Sequence, residues 1–159
     1  MFKFNSSNLF AFALIAMLAV TACGEIFDTG DNFVKANIGG DEKEWTGVLV
    51  NAINVDTING VLIEAIKTVN VSNIEQLTLG LADFDGAGTY VIDLESSNLG
   101  TYSYTGTDST FQSITSSGTI EVTNYEDNIL EGTFTLNLVD LDQNNIDVKD
   151  GSFKVKVIE

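Results

Sequence analysis

The chain has 159 residues and carries 23 Asp and Glu against 7 Lys, with no Arg and no His, for a net charge of −16. Such a polyanion is a poor partner for nucleic acid or an anionic membrane surface. Without His or Arg it also lacks the parts of a Ser-His-Asp triad, a His-ligated zinc site or bidentate phosphate recognition. Its 44% hydrophobic residues, patterned in alternation, can still build a core.

Residues 1–22 read as an export leader. One cation, Lys3, precedes the apolar run 9–20, and the small residues Thr21 and Ala22 lead into Cys23, the only cysteine. Twelve residues make a helix of ~18 Å, too short for a bilayer core of ~30 Å. Val20-Thr21-Ala22-Cys23 resembles a bacterial lipobox, with Val where Leu is commoner. An ordinary signal peptide with an incidental buried cysteine is the plainer alternative. An exported protein with one unpaired thiol would be unusual, and acylation of Cys23 removes that oddity. Two or three acyl chains on Cys23 would suffice for stable membrane anchoring. Cleavage after Ala22 removes 22 residues and one cation, leaving 137 residues and a net charge of −17.

Residues 23–32 then form a lipidated cysteine and an acidic tether, and 33–159 a single domain. Glu25, Asp28 and Asp31 fit either a solvated linker or an acidic stretch like those that direct some Bacteroidetes lipoproteins to the cell surface.

From Phe33 onward the hydrophobic period is two. Val34, Ala36 and Ile38 alternate with polar residues, as do Leu77, Leu79 and Leu81, then Phe134, Leu136 and Leu138, then Phe153, Val155 and Val157. That is the pattern of antiparallel sheets with one wet face. Turn signals fall at Gly39-Gly40-Asp41, Asn59-Gly60, Asp85-Gly86, Glu126-Asp127-Asn128 and Asp150-Gly151. Asn59-Gly60 is expected to close a hairpin between strands near 45–55 and 61–69. Further strands are expected near 75–82, 88–94, 100–105, 109–114, 117–124, 129–139 and 151–158. Within 61–70, Leu62, Ile66 and Val69 also fit a helical stripe, but the β-branched residues favour a strand. The expected fold is an all-β antiparallel sandwich or barrel of roughly nine or ten short strands. Its expected core is Val34, Ile38, Leu77, Leu79, Tyr90, Ile92, Ile120, Val122, Phe134, Leu136, Phe153 and Val155.

The best metal candidate is Asp140, Asp142, Asn144 and Asp147, whose opening resembles the first half of an EF-hand loop and could offer hard oxygens to Ca²⁺. Asn145 stands where that loop needs Gly and Gly151 where it needs Glu, so a turn in which the acids cap their own backbone is the competing reading. Asp83 and Asp85 make a weaker candidate. A hydrolase with paired carboxylates would need two acids across a cleft, and no motif picks out a pair. No catalytic residue or cofactor is assigned, and the chain is not expected to be an enzyme. Trp45 reads as a core anchor before a carbohydrate-stacking face, and Tyr90, Tyr102, Tyr104 and Tyr125 carry the same pair of readings.

The ordered motifs Phe33 to Gly40, Trp45, Gly88-Thr-Tyr90, Ser117-Gly-Thr-Ile-Glu-Val-Thr123, Gly132-Thr-Phe134 and Gly151-Ser-Phe153 resemble the small Bacteroidetes lipoproteins grouped as a domain of unknown function. The resemblance implies a lipid-anchored envelope protein with a β-rich body, and it brings no catalytic residues. Gly24 is not the Asp that retains some lipoproteins in the inner membrane, so the outer membrane is the expected compartment, facing the periplasm or the surface. The expected role is a monomeric, non-catalytic binding or structural module. Its partners would be the membrane, through Cys23, and a glycan, a peptide or another envelope protein, with no nucleic acid. A calcium-dependent adhesion module is the alternative.

Overall fold

A computed structural model describes residues 31–158 apart from 48, 71–72, 94 and 107–109. The leader, Cys23 and the tether up to residue 30 therefore lie outside the described residues.

Ten strands follow one another: β1 (Phe33–Ile38), β2 (Asp41–Thr46), β3 (Val50–Val55), β4 (Gly60–Asn70), β5 (Asn73–Leu81), β6 (Gly88–Ile92), β7 (Leu99–Thr105), β8 (Thr110–Glu126), β9 (Ile129–Asp140) and β10 (Asn145–Ile158). Seven close into a barrel in the order β3-β4-β5-β7-β8-β9-β10 and back to β3. All pairs are antiparallel except β10 with β3, where Val157 and Ile158 lie beside Ala52 and Ile53. The other three strands sit on the long barrel strands. β6 pairs with residues 118–122 of β8, β1 with residues 148–154 of β10, and β2 with β1.

The local chemistry explains the breaks. Gly39 and Gly40 turn β1 into β2 with positive φ. Asp127 (φ 51°) and Asn128 (φ 61°) occupy both central positions of the β8–β9 hairpin, the left-handed pair that a two-residue turn between twisted strands requires. Asn59 (φ 46°) follows a 3-10 turn, Asp56–Ile58, and the expected β3–β4 hairpin closes there.

The sequence expectations are corrected in three places. The strand expected near 45–55 is two strands, because Gly47 (φ 86°) ends β2 and re-aims the chain into β3. The strands expected at 109–114 and 117–124 are one, β8, which changes neighbour from β7 to β6 across a register slip at residues 115–117. Asp150-Gly151 is no hairpin turn. It is a bulge inside β10, where Asp150 takes φ 53° and two residues of β10, Lys149 and Asp150, oppose the single Thr135 of β9 between Val148 and Gly151.

All twelve expected core residues are buried. At the centre, Phe134 lies directly opposite Gly151, and Phe153 directly opposite Gly132. A Cβ on Gly151 would strike the Phe134 ring at 2.6 Å, and one on Gly132 the Phe153 ring at 2.5 Å. Each ring thus lies over the other motif's glycine, and the two rings stack with centroids 6.4 Å apart. Phe134→Ala removes a fully buried ring and should cost about 3–5 kcal/mol, read as a lower urea midpoint at unchanged m-value.

Candidate functional site

The Asp140 loop joins β9 to β10. Asp140 Oδ1 accepts the backbone N–H groups of Asp142 (2.9 Å) and Asn144 (2.8 Å), and its Oδ2 accepts the Asn144 side-chain amide (2.9 Å). These donors, the Asn144 amide first, hold the Asp140 carboxyl below its ordinary range. Both oxygens are thereby committed to the turn. Asp147 lies on β10 and pairs with Lys149 at 2.9 Å. The structure brings Asp140 and Asn144 together, ties Asp142 to them through its backbone N–H, and leaves Asp147 outside their hydrogen bonds. At the weaker candidate, Asp85 accepts the Tyr90 hydroxyl at 3.1 Å. Among the described residues no three His, Cys, Asp or Glu side chains form a group able to hold a metal.

The aromatic candidates divide by burial. Trp45, Tyr90 and Tyr102 are buried in the core, whereas Tyr104 is half-buried and Tyr125 exposed. Tyr90 donates to the Gly86 carbonyl (2.8 Å) and pins the β5–β6 loop. Phe84 from that loop stacks on Tyr90 and meets Tyr125 edge-on, with centroids at 5.8 and 5.2 Å.

Two polar features inside or against the barrel carried no motif in the sequence. At one end, Lys43 of β2 donates to Glu75 of β5 at 2.8 Å. That hydrogen bond raises the lysine's pKa, while burial first and the Glu75 charge second push the Tyr102 hydroxyl up. Lys67 donates to the Glu44 carbonyl at 3.2 Å, a second tie between β4 and β2. Both ties link elements more than twenty residues apart, beyond any local pattern. The other feature is Glu64 of β4, 3% exposed, with Oε1 buried and unpartnered. Burial pushes its carboxyl pKa up. The only sequence trace of this position is that β4 is apolar on both sides of it.

The surface offers two open hollows. One of about 240 Å³ is lined by Asn54, Asp56, Asn59 and Phe84 near the β3–β4 turn. The other, about 410 Å³, lies on the outer face of β8, β9 and β10 and is walled by Thr119, Glu121, Thr133, Thr135, Asp150 and Ser152. Hydroxyls and carboxylates on flat strands can hydrogen-bond a polar ligand. Among the described residues no helix is long and apolar enough to cross a membrane.

These features define a small acidic β-barrel with a packed interior and a polar exterior. Residues 33–156 match the family model described as a domain of unknown function (DUF6252), and the chain belongs to that family. No curated protein and no solved structure matches it.

Two predictions follow from these side chains. A loop whose central carboxylate is already committed should gain little from calcium, so millimolar CaCl₂ should shift the melting temperature no more than NaCl at equal ionic strength. A calcium shift of many degrees that vanishes in Asp142→Ala would reverse this reading. Glu64 has a raised pKa in the folded state, so between the ordinary carboxylate range and that raised value the folded chain binds more protons than the unfolded one. Stability from this group is therefore present at low pH and lost as pH rises. Glu64→Gln should gain melting temperature relative to wild type as pH rises above the ordinary carboxylate range.

Proposed function

We propose that this protein is a lipid-anchored module of the bacterial cell envelope, acylated at Cys23 and held in the outer membrane, with a non-catalytic binding or structural role. The observation that carries this reading is the N-terminal sequence: a 12-residue apolar run, small residues at 21 and 22, and the only cysteine at the point of cleavage. The family match begins at residue 33, ten residues after Cys23, and so does not include this N-terminal stretch. A non-catalytic role is supported by the absence of His and Arg from the sequence and by carboxylates that are committed to turns and ion pairs. The hollow on β8 to β10 sets Thr, Glu, Asp and Ser side chains around a mostly apolar surface, a lining on which a glycan or an extended peptide can be seated.

Cys23→Ser should release the protein from the membrane fraction as soluble or uncleaved chain. Unchanged partitioning of that variant after a high-salt wash would refute the anchor. Binding is checked by a pull-down from the native envelope fraction with the wild type and with Thr133→Lys/Thr135→Lys, which should lose the partner if the hollow holds it.

A further inference from the structure

The inward row of β3 runs Val50, Ala52 and Asn54. The first two are buried in the core, whereas Asn54 is exposed although it lies directly opposite the buried Val61 of β4. Asn54 therefore stands on the inner wall where the barrel opens. From there the chain passes through the Asp56–Ile58 turn to Asn59, held left-handed at φ 46°. The β5–β6 loop brings Phe84 to the same opening, and Asn54, Asp56, Asn59 and Phe84 line the hollow of about 240 Å³.

Several contacts fix the shape of this mouth. The Asp83 N–H donates to the Ile58 carbonyl (3.2 Å) and the Phe84 N–H to the Asn59 carbonyl (2.9 Å), which stitches the two loops together. Phe84 is half-buried, stacked on Tyr90 and met edge-on by Tyr125. A Cβ on Gly60 would strike the Leu81 carbonyl oxygen, so the chain leaving the turn is seated close on β5. In the next loop Asn98 commits its amide to Ala82 and Val91, and Asp93 its carboxylate to Glu95 and Ser96. Among the described residues no such bond engages the side chains of Asn54, Asp56 or Asn59.

We propose that this mouth binds one neutral sugar ring, the end residue of a glycan, with its C–H groups against Phe84 and its hydroxyls on Asn54, Asp56 and Asn59. The first argument is chemistry. An amide both donates and accepts and a carboxylate accepts, which matches a row of hydroxyls that do both. A wholly apolar ligand would leave three polar side chains covered and unpaired. The second is charge. No lysine lines the hollow, Asp56 does, and the chain carries −16, so an anionic ligand is repelled. The third is place and size. Barrel mouths are frequent seats of small ligands, and pockets that enclose a drug-sized molecule hold ~300–1,000 Å³. This smaller, open hollow suits a single ring whose chain continues into water.

The site shares no residue with the β8–β10 hollow and does not depend on an anchor at Cys23. The two readings can fail separately.

The test is amide NMR on the isotope-labelled full chain in a sugar-free detergent. The probes are glucose, galactose, mannose and N-acetylglucosamine, with glucuronate as the anionic control. At least one neutral sugar should move the Asn59, Gly60 and Phe84 signals with a Kd of ~1–10 mM, the weak affinity of a ligand this small. Added NaCl should leave that Kd unchanged. Phe84→Leu keeps an apolar side chain on the core and removes the ring, and Asn59→Gly keeps the left-handed turn and removes the amide. Each should weaken binding about tenfold while the other amide signals stay dispersed. The proposal is overturned by no shift at the mouth with any of the four, by glucuronate binding as well as they do, or by unchanged affinity in either variant. Shifts confined to Thr119, Thr133 and Thr135 would also overturn it and place the sugar on the β8–β10 hollow instead.

Discussion

The interlock between β9 and β10 is the constraint on which the rest of the structure depends. Gly132-Thr-Phe134 and Gly151-Ser-Phe153 are the same three-residue pattern, and antiparallel pairing sets each Phe over the other's Gly. Glycine in a strand interior is ordinarily a cost, accepted where another group must approach the backbone closely. Here it lets two large rings lie flat across the ladder and stack on one another. The bulge at Asp150 serves this arrangement. One extra residue between Val148 and Gly151 brings Gly151 rather than a side chain opposite Phe134. The same slip appears on the other side of β10, between Lys35 and Asn37 of β1. One residue in a left-handed conformation thus sets the register of three strands.

A negative charge this large would destabilise a compact chain unless it stayed wet and was partly paired. Lys35, Lys149 and Lys154 make surface ion pairs with Glu44, Asp147 and Glu131, which contribute little individually. Lys43 with Glu75 is different, because Glu75 is nearly buried and the pair joins β2 to the opposite wall of the barrel. The charge also protects the open edges. β2 is an edge strand that begins Asp41-Glu42-Lys43-Glu44, and β6, the other edge, is only five residues long. Charged and short edges discourage strand addition from a second molecule.

The one-sided strands were legible in the sequence because alternation is a local signal, and every expected core residue on them is buried. Legibility stopped where the same local chemistry has two outcomes. Asp-Gly at 150–151 suits a left-handed position in a bulge as well as in a hairpin turn, and only the partner strand decides. β4 mimicked a helical stripe at Leu62 and Ile66 because it is apolar on both faces, a property that no single-face template anticipates. The Asp140 loop kept its metal and turn readings open in sequence. The hydrogen bonds from Asp142 and Asn144 show the turn. Glu75 and Glu64 carried no signal, since their environments are made by residues on other strands.

Closure itself follows from a parity rule that the sequence does not display. Seven strands in a ring cannot alternate direction throughout, so at least one neighbouring pair must run parallel. In this barrel it is β10 with β3, over only two residue pairs, the shortest contact in the ring. Parallel rungs are slightly weaker than antiparallel ones, and two of them make a poor seam. Asn32 reinforces it with one side chain. Its amide nitrogen serves the Val50 carbonyl on β3 and its amide oxygen the Lys156 N–H on β10, as a peptide rung would, while its own carbonyl accepts the Gly47 N–H. Read in sequence as the end of a tether, Asn32 is 8% exposed and belongs to the barrel by its contacts. The weakest point of the ring is therefore clasped by the residue through which the chain enters it. Any pull on the N-terminal segment is delivered first to that seam.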